Sequence, residues 1–180
     1  MAPVGGDIGP AATFGAIALV YGPGFQCYGA IAPGSCNGDL MREEYEVRGE
    51  VPGVGEYRRL REAAGLSPKG VEAAEKGLPN TWCGVTVRRG GEAVGMGRIV
   101  GDGGCFFQVV DICVLPEHQG RGLGKLIMRA LLDEYDRRAP ASAYLSLIAD
   151  GDAQHLYRQF GFVDTAPASV GMFRQVKKIS

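Results

Sequence analysis

The run Gln119-Gly120-Arg121-Gly122-Leu123-Gly124-Lys125 is where residue types and spacing in this chain point most directly to chemistry. Three glycines at alternate positions let backbone N–H groups converge without interference from Cβ atoms. They follow an apolar stretch ending Val114-Leu115-Pro116 and open a segment with Leu123, Leu126, Ile127, Ala130, Leu131 and Leu132 on one helical side. A helix start presents unsatisfied amides and the positive end of its dipole, an arrangement that binds phosphate. Arg121, Lys125 and, one turn on, Arg129 add charge where an anion would sit. Neither the dinucleotide fingerprint GxGxxG nor the P-loop GxxxxGK[ST] is matched. Eight residues upstream of the run's start, Asp111 and its neighbours form an apolar strand with one carboxylate, either a general base tuned by burial or an ion-paired structural aspartate. His118 and His155 flank the same region.

These residues need elements to hold them. Tyr45 to Arg48 suits a short strand, and Pro52 to Ala64 and Pro68 to Lys76 read as two short helices, ending at Gly65 and Gly77. Three strands follow, Thr81 to Val87, Ala93 to Val100 and Phe106 to Leu115. The turns Arg89-Gly90-Gly91-Glu92 and Gly101-Asp102-Gly103-Gly104 separate them, which predicts an antiparallel meander. After a loop over 116–120 the pattern predicts a helix from Gly122 to Arg137, a strand from Ala143 to Ala149, a short helix from Ala153 to Phe160 and a closing strand from Gly171 to Val176. Strand, crossover helix and strand make a βαβ unit with parallel pairing, so the expected fold is α/β with a mixed sheet.

Two of these segments carry a resemblance. Gln119-Gly120-Arg121-Gly122-Leu123-Gly124, after a strand ending Val-x-Pro, resembles the acetyl-CoA motif Gln/Arg-x-x-Gly-x-Gly/Ala of the GCN5-related N-acetyltransferases (GNAT). Asp150-Gly151-Asp152-Ala153-Gln154-His155-Leu156-Tyr157-Arg158-Gln159-Phe160-Gly161-Phe162 is similar to that family's Asn-x-x-Ala-x-x-Leu-Tyr-x-x-x-Gly-Phe, with Asp150 in place of Asn. The order of elements from Glu44 to Val176 looks like the same family. The resemblance implies acetyl-CoA as co-substrate, with no metal, and direct attack by an amine in a ternary complex. Backbone groups of Ile112, Cys113 and Val114 would hold the pantetheine arm and polarise the acetyl carbonyl, Gly120 to Lys125 would cradle the pyrophosphate, and Gln119 would belong to the same cofactor site. Asp150 and Ala153 would border the cofactor, or Asp150 would cap the helix with Asp152. Tyr157 would protonate the departing thiolate while also packing on Phe162 if Gly161 ends its helix. Asp111 is the candidate base, a water chain the alternative; the position before it is Val110, where some polyamine acetyltransferases carry Glu. The acceptor site would form from Glu50 to Leu78 and Pro167 to Phe173, whose surroundings mix Tyr57, Trp82 and Phe173 with Glu56, Glu62 and Glu72. That suits a small amine such as an arylalkylamine or amino sugar; a protein N-acetyltransferase and a non-catalytic acyl-CoA-binding domain are the rivals.

Composition sets the outer bounds. At 180 residues the chain has room for one ordinary domain, and 19 basic against 20 acidic side chains provide no global drive toward nucleic acid or anionic membrane. Residues 1–40 hold nine of the 29 glycines and four prolines, with Asp7 and Asp39 as the only charges, and read as a flexible extension before a domain over 41–180. The apolar run Phe14 to Tyr21 is too short to span a bilayer. Five cysteines without CxxC or Cys/His spacing point to packed or incidental thiols and a cytoplasmic setting. A homodimer is left open.

Overall fold

A computed structural model describes residues 44–174. The extension, Cys27, Cys36 and the last two residues of the expected closing strand lie outside the described residues. Five strands form one sheet in the order β1 (Glu46–Arg48), β2 (Cys83–Arg89), β3 (Glu92–Gly101), β4 (Phe106–Val114) and β5 (Tyr144–Leu147). The first four pair antiparallel and β4 with β5 parallel, so the sheet is mixed. Gly90 and Gly91 make the two-residue turn between β2 and β3. Asp102 builds the next one, its Oδ1 accepting the N–H groups of Gly104, Cys105 and Phe106 at 2.8, 2.8 and 3.1 Å.

Helices α1 (Val54–Ala63) and α2 (Val71–Gly77) precede β2, and α3 (Leu123–Arg138) crosses from β4 to β5. Helix α1 stops as expected, with Gly65 N–H donating to Glu62 O and Leu66 N–H to Arg61 O. Helix α2 ends at Gly77 as expected, but the backbone runs on through Leu78 into a 3-10 turn over Leu78–Asn80, and β2 starts two residues later than expected. Helix α3 lays Leu123, Ile127, Met128 and Leu131 against the sheet. The approach is close enough that a Cβ on Gly97 of β3 would stand 2.5 Å from Ile112 Cδ1 and from Ile127 Cγ2. Helix α4 (Gln154–Arg158) follows a 3-10 turn over Gly151–Ala153.

The expected strand at Gly171 is not found through Arg174. That stretch has no ladder partner, and Val170, Met172 and Phe173 are exposed. Apolar spacing there matched a strand, but a strand needs a neighbour to bond, and none of the described elements supplies one.

Candidate functional site

The site starts from a mismatch between β3 and β4. Met96 pairs with Cys113 and Arg98 with Val110, so Gly97 alone faces Asp111 and Ile112. This is a bulge, and its first residue has the left-handed backbone of the class that usually places glycine there: Asp111 has φ 60, the single non-glycine positive φ among the described residues. On its other side β4 pairs with β5 only from Phe106–Tyr144 to Val109–Leu147. Beyond Val109 the two parallel strands separate. Leu115 N–H donates to Val94 O at 2.9 Å, so Leu115 faces β3 and, by the alternation of an antiparallel ladder, Val114 faces the opposite edge. Gln119 Nε2 donates to Val114 O at 2.9 Å on that edge. The Val114 N–H therefore points where β5 has turned away.

A cleft of about 460 Å³ opens at the separation. Its wall includes Ile112, Cys113 and Val114 from β4, then Gln119, Gly120, Gly122, Leu123, Gly124 and Lys125 from the loop and the start of α3, with Ala153, Leu156 and Tyr157 opposite. Sequence reasoning thus brought most of its candidates to one place. Gly122 is the N-cap of α3 with φ 78 and makes no side-chain cap bond. Gly120 has φ 72, and a Cβ on either would meet nothing within 4 Å. Gly124 differs, because its Cβ would touch Leu156 Cδ2 at 3.5 Å. The first amides of α3 have no carbonyl one turn earlier in the helix and face the open loop.

Other candidates fall elsewhere. Arg121 is exposed and 4.0 Å from Glu44, which also pairs with Arg89. Asp150 sits at the N-cap of the 3-10 turn but makes no side-chain cap bond, and neither it nor Arg121 lines the cleft. His155 is exposed, on a different side of α4 from Tyr157. His118 is buried in the cleft wall, its Nδ1 hydrogen-bonded to Tyr45 Oη at 2.9 Å. Trp82 is not in an acceptor site; it packs on Phe107 and Tyr135 under the Arg138 guanidinium. Glu56 is tied to Arg88 at 2.8 Å, whereas Glu62 and Glu72 are exposed on α1 and α2.

Tyr157 is buried, and burial together with the nearby Asp150 pushes its phenol above the ordinary range. It remains protonated at neutral pH. Phe162 N–H reaches Tyr157 O and Gly161 N–H reaches Arg158 O, the two bonds of a Schellman turn, and the Tyr157 and Phe162 rings meet edge to face at 6.4 Å. Cys113 lies beside the bulge with its thiol pushed up to about 12, mainly by burial and then by Asp111, so it is no thiolate nucleophile at neutral pH. Among the described residues no three His, Cys, Asp or Glu side chains group to hold a metal ion, and no helix is long and apolar enough to cross a membrane.

Asp111 is not an open carboxylate. Oδ1 accepts from Arg61 Nη1, and Oδ2 accepts from Arg98 Nε at 2.7 Å and from Tyr57 Oη at 3.3 Å. Sequence reasoning missed Arg61 and Arg98, since nothing in their spacing separates a buried guanidinium from a solvated one; the available signal was the lone acid on an apolar strand, which implies a buried cation somewhere.

A family model described as an acetyltransferase (GNAT) domain matches residues 81–164. A solved structure of a protein of unknown function and probable acetyltransferase from methicillin-resistant Staphylococcus aureus is 45% identical, with TM-score 0.70, over 73% of this chain and 99% of that one. The chain belongs to the GCN5-related N-acetyltransferase family. An uncharacterized N-acetyltransferase, ycf52, from Porphyra purpurea is 35% identical over 80 residues, 44% of this chain; the match spans 45%, less than half, of that curated relative's length. A Brucella melitensis GNAT acetyltransferase solved in complex with acetyl-CoA shares the fold at TM-score 0.51 and 22% identity, over 67% of this chain and 83% of that one.

Proposed function

We propose that this GNAT domain, beginning near residue 41, moves the acetyl group of acetyl-CoA to a primary amine of a small molecule, an arylalkylamine, amino sugar or similar, by direct attack with both partners bound. The observation that carries this reading is the separation of β4 from β5 after Val109–Leu147, which turns a strand amide and the Tyr157 phenol toward one cleft. The residues fit the co-substrate: Gly120 and Gly122 leave open space where side chains would stand, and α3 begins with uncapped amides beside Lys125. Acetyl-CoA supplies the thioester that the amine attacks.

In this reading Gly120 to Lys125 bind the pyrophosphate and the edge of β4 at Ile112 and Val114 orients the pantetheine arm. The Val114 N–H holds the acetyl oxygen as negative charge grows there, a preorganised donor that needs no rearrangement. As the new C–N bond forms and the C–S bond breaks, Tyr157 gives its proton to the sulfur. The proton lost by the amine goes to water in the cleft, because both Asp111 oxygens are already engaged. Exposed Glu62 on α1 favours approach of a cationic amine, whereas Glu72 on α2 is already paired with Lys76 at 2.8 Å. The odd number of cysteines and their spacing support a cytoplasmic setting.

Incubating the purified protein with acetyl-CoA and a panel of amines and peptides, with free thiol as readout, tests the reading. Turnover on small amines is the expected result. Acetyl-CoA binding with no turnover of any acceptor would refute it, and turnover confined to peptides would move the substrate to protein N-termini or lysines.

A further inference from the structure

Three elements far apart in the sequence meet at one carboxylate. Arg61 comes from α1, Arg98 from β3 and Asp111 from the β4 bulge, and their side chains are 8%, 9% and 7% exposed. The remaining guanidinium donors are also committed. Arg61 Nε and Nη2 donate to Ser67 O at 2.9 and 2.7 Å, which ties in the loop between α1 and α2. Arg98 Nη1 donates to Thr81 Oγ1 at 2.6 Å, just before β2. Tyr57 closes the group, its hydroxyl on Asp111 and its ring 5.7 and 5.3 Å from the two guanidinium carbons.

The group has two candidate roles, stability or geometry. A buried ion triad stabilises a fold no better than apolar packing of the same volume commonly does. It does fix direction. Asp111 has a backbone conformation that L residues seldom adopt, and released from its partners it would relax toward extended backbone. The two-for-one pairing opposite Gly97 would then be lost, and a one-residue change of register turns every following side chain and amide to the other side. Val114 would face β3 instead of the cleft.

We propose that Arg61 and Arg98 are positioning residues for acetyl transfer: by clamping Asp111 they hold the bulge that aims the backbone of Ile112 to Val114 at the thioester carbonyl. The inference rests on the acetyl-transfer reading above and goes beyond it, because it assigns a role to two residues that touch neither the acyl donor nor the acceptor. It also connects the α1–α2 loop, through Ser67, to the amide that binds the acetyl oxygen.

Coenzyme A without its acetyl group lacks the carbonyl and so separates aim from fold. Calorimetry on the full chain would compare acetyl-CoA with free CoA for the wild type, Arg98→Lys and Asp111→Gly. Lysine keeps the charge and loses the fork; glycine has no carboxylate to clamp and, equally free at positive and negative φ, no longer fixes the bulge in one conformation. The wild type should prefer acetyl-CoA by up to about tenfold, the worth of one good hydrogen bond. Both variants should lose that preference while free CoA binds within about twofold of wild type, and kcat should fall at least about tenfold. The bound signal of carbonyl-¹³C acetyl-CoA should return toward its free position. If Asp111→Gly does not fold, Arg98→Lys decides alone. A preference kept in the variants, or affinities for both ligands that fall together, would overturn the positioning role and leave the function standing. Equal affinities in the wild type would overturn the carbonyl-holding reading and this inference with it.

Discussion

Two regions that shape the cleft, the glycine loop in its wall and the ion cluster behind β4, are made by opposite means. The loop from Gly120 to Gly124 works by leaving side chains out, so that backbone amides and open space meet the solvent. The clamp at Asp111 works by putting charged side chains in, each donor and acceptor satisfied and each side chain more than nine-tenths covered. One side is ready for a ligand from outside, whereas the other has its ligands within the chain. A substitution in the loop should therefore be read in binding, and one in the clamp in stability and rate.

The sharpest break of that contrast is Gly122→Asp. It places a strained side chain with negative charge at φ 78, and acetyl-CoA affinity should fall at least about a hundredfold by calorimetry with the thermal midpoint shifted little. A loss of folding instead would show that the loop is as structural as the clamp. Next comes Asp111→Asn, which leaves two buried guanidinium groups without a counter-ion and should cost about 3–5 kcal/mol in urea unfolding. The variant that folds should keep the wild-type rise of kcat/KM with pH, set by the amine; loss of that limb would make Asp111 the base after all.

Tyr157→Phe should lower kcat about tenfold or more with acetyl-CoA affinity changed less than about threefold, since the ring still packs on Phe162. The last effect, confined to alkaline pH, is in the base titration of stability. The Cys113 thiol has a folded value near 12, above its ordinary 9.0, so its contribution is intact below about pH 9. Above that the unfolded thiol ionises first, and unfolding free energy should decline up to about pH 12. A Cys113→Ala protein should show a shallower decline.

The same contrast explains what could be read from the chain. The glycine loop is local: seven consecutive residues and a helix start carry its chemistry, and the hairpin glycines place the strands on either side. Tyr157 and Phe162 were likewise readable as a pair because a helix ending at Gly161 brings them together over five residues. The clamp joins positions 61, 98 and 111, and no local period encodes that meeting. Asp111 marked itself as unusual, but whether it faced an amine or two arginines depended on where α1 docked. The expected strand at Gly171 failed for a related reason, since alternation describes a residue's faces and not its partner.

Helix α3 begins on glycine, with no serine, threonine or aspartate side chain closing over its first amides. A side-chain cap at that position would add only a few tenths of a kcal/mol over glycine in a typical helix. Here the amides stay hydrated until an anion reaches them, so folding and ligand binding are thermodynamically linked through this one turn. At a hundredfold excess of acetyl-CoA over its dissociation constant, that linkage raises the stability of the folded chain by about 2.7 kcal/mol. The protein should thus be least resistant to heat and proteolysis when its acyl donor is scarce.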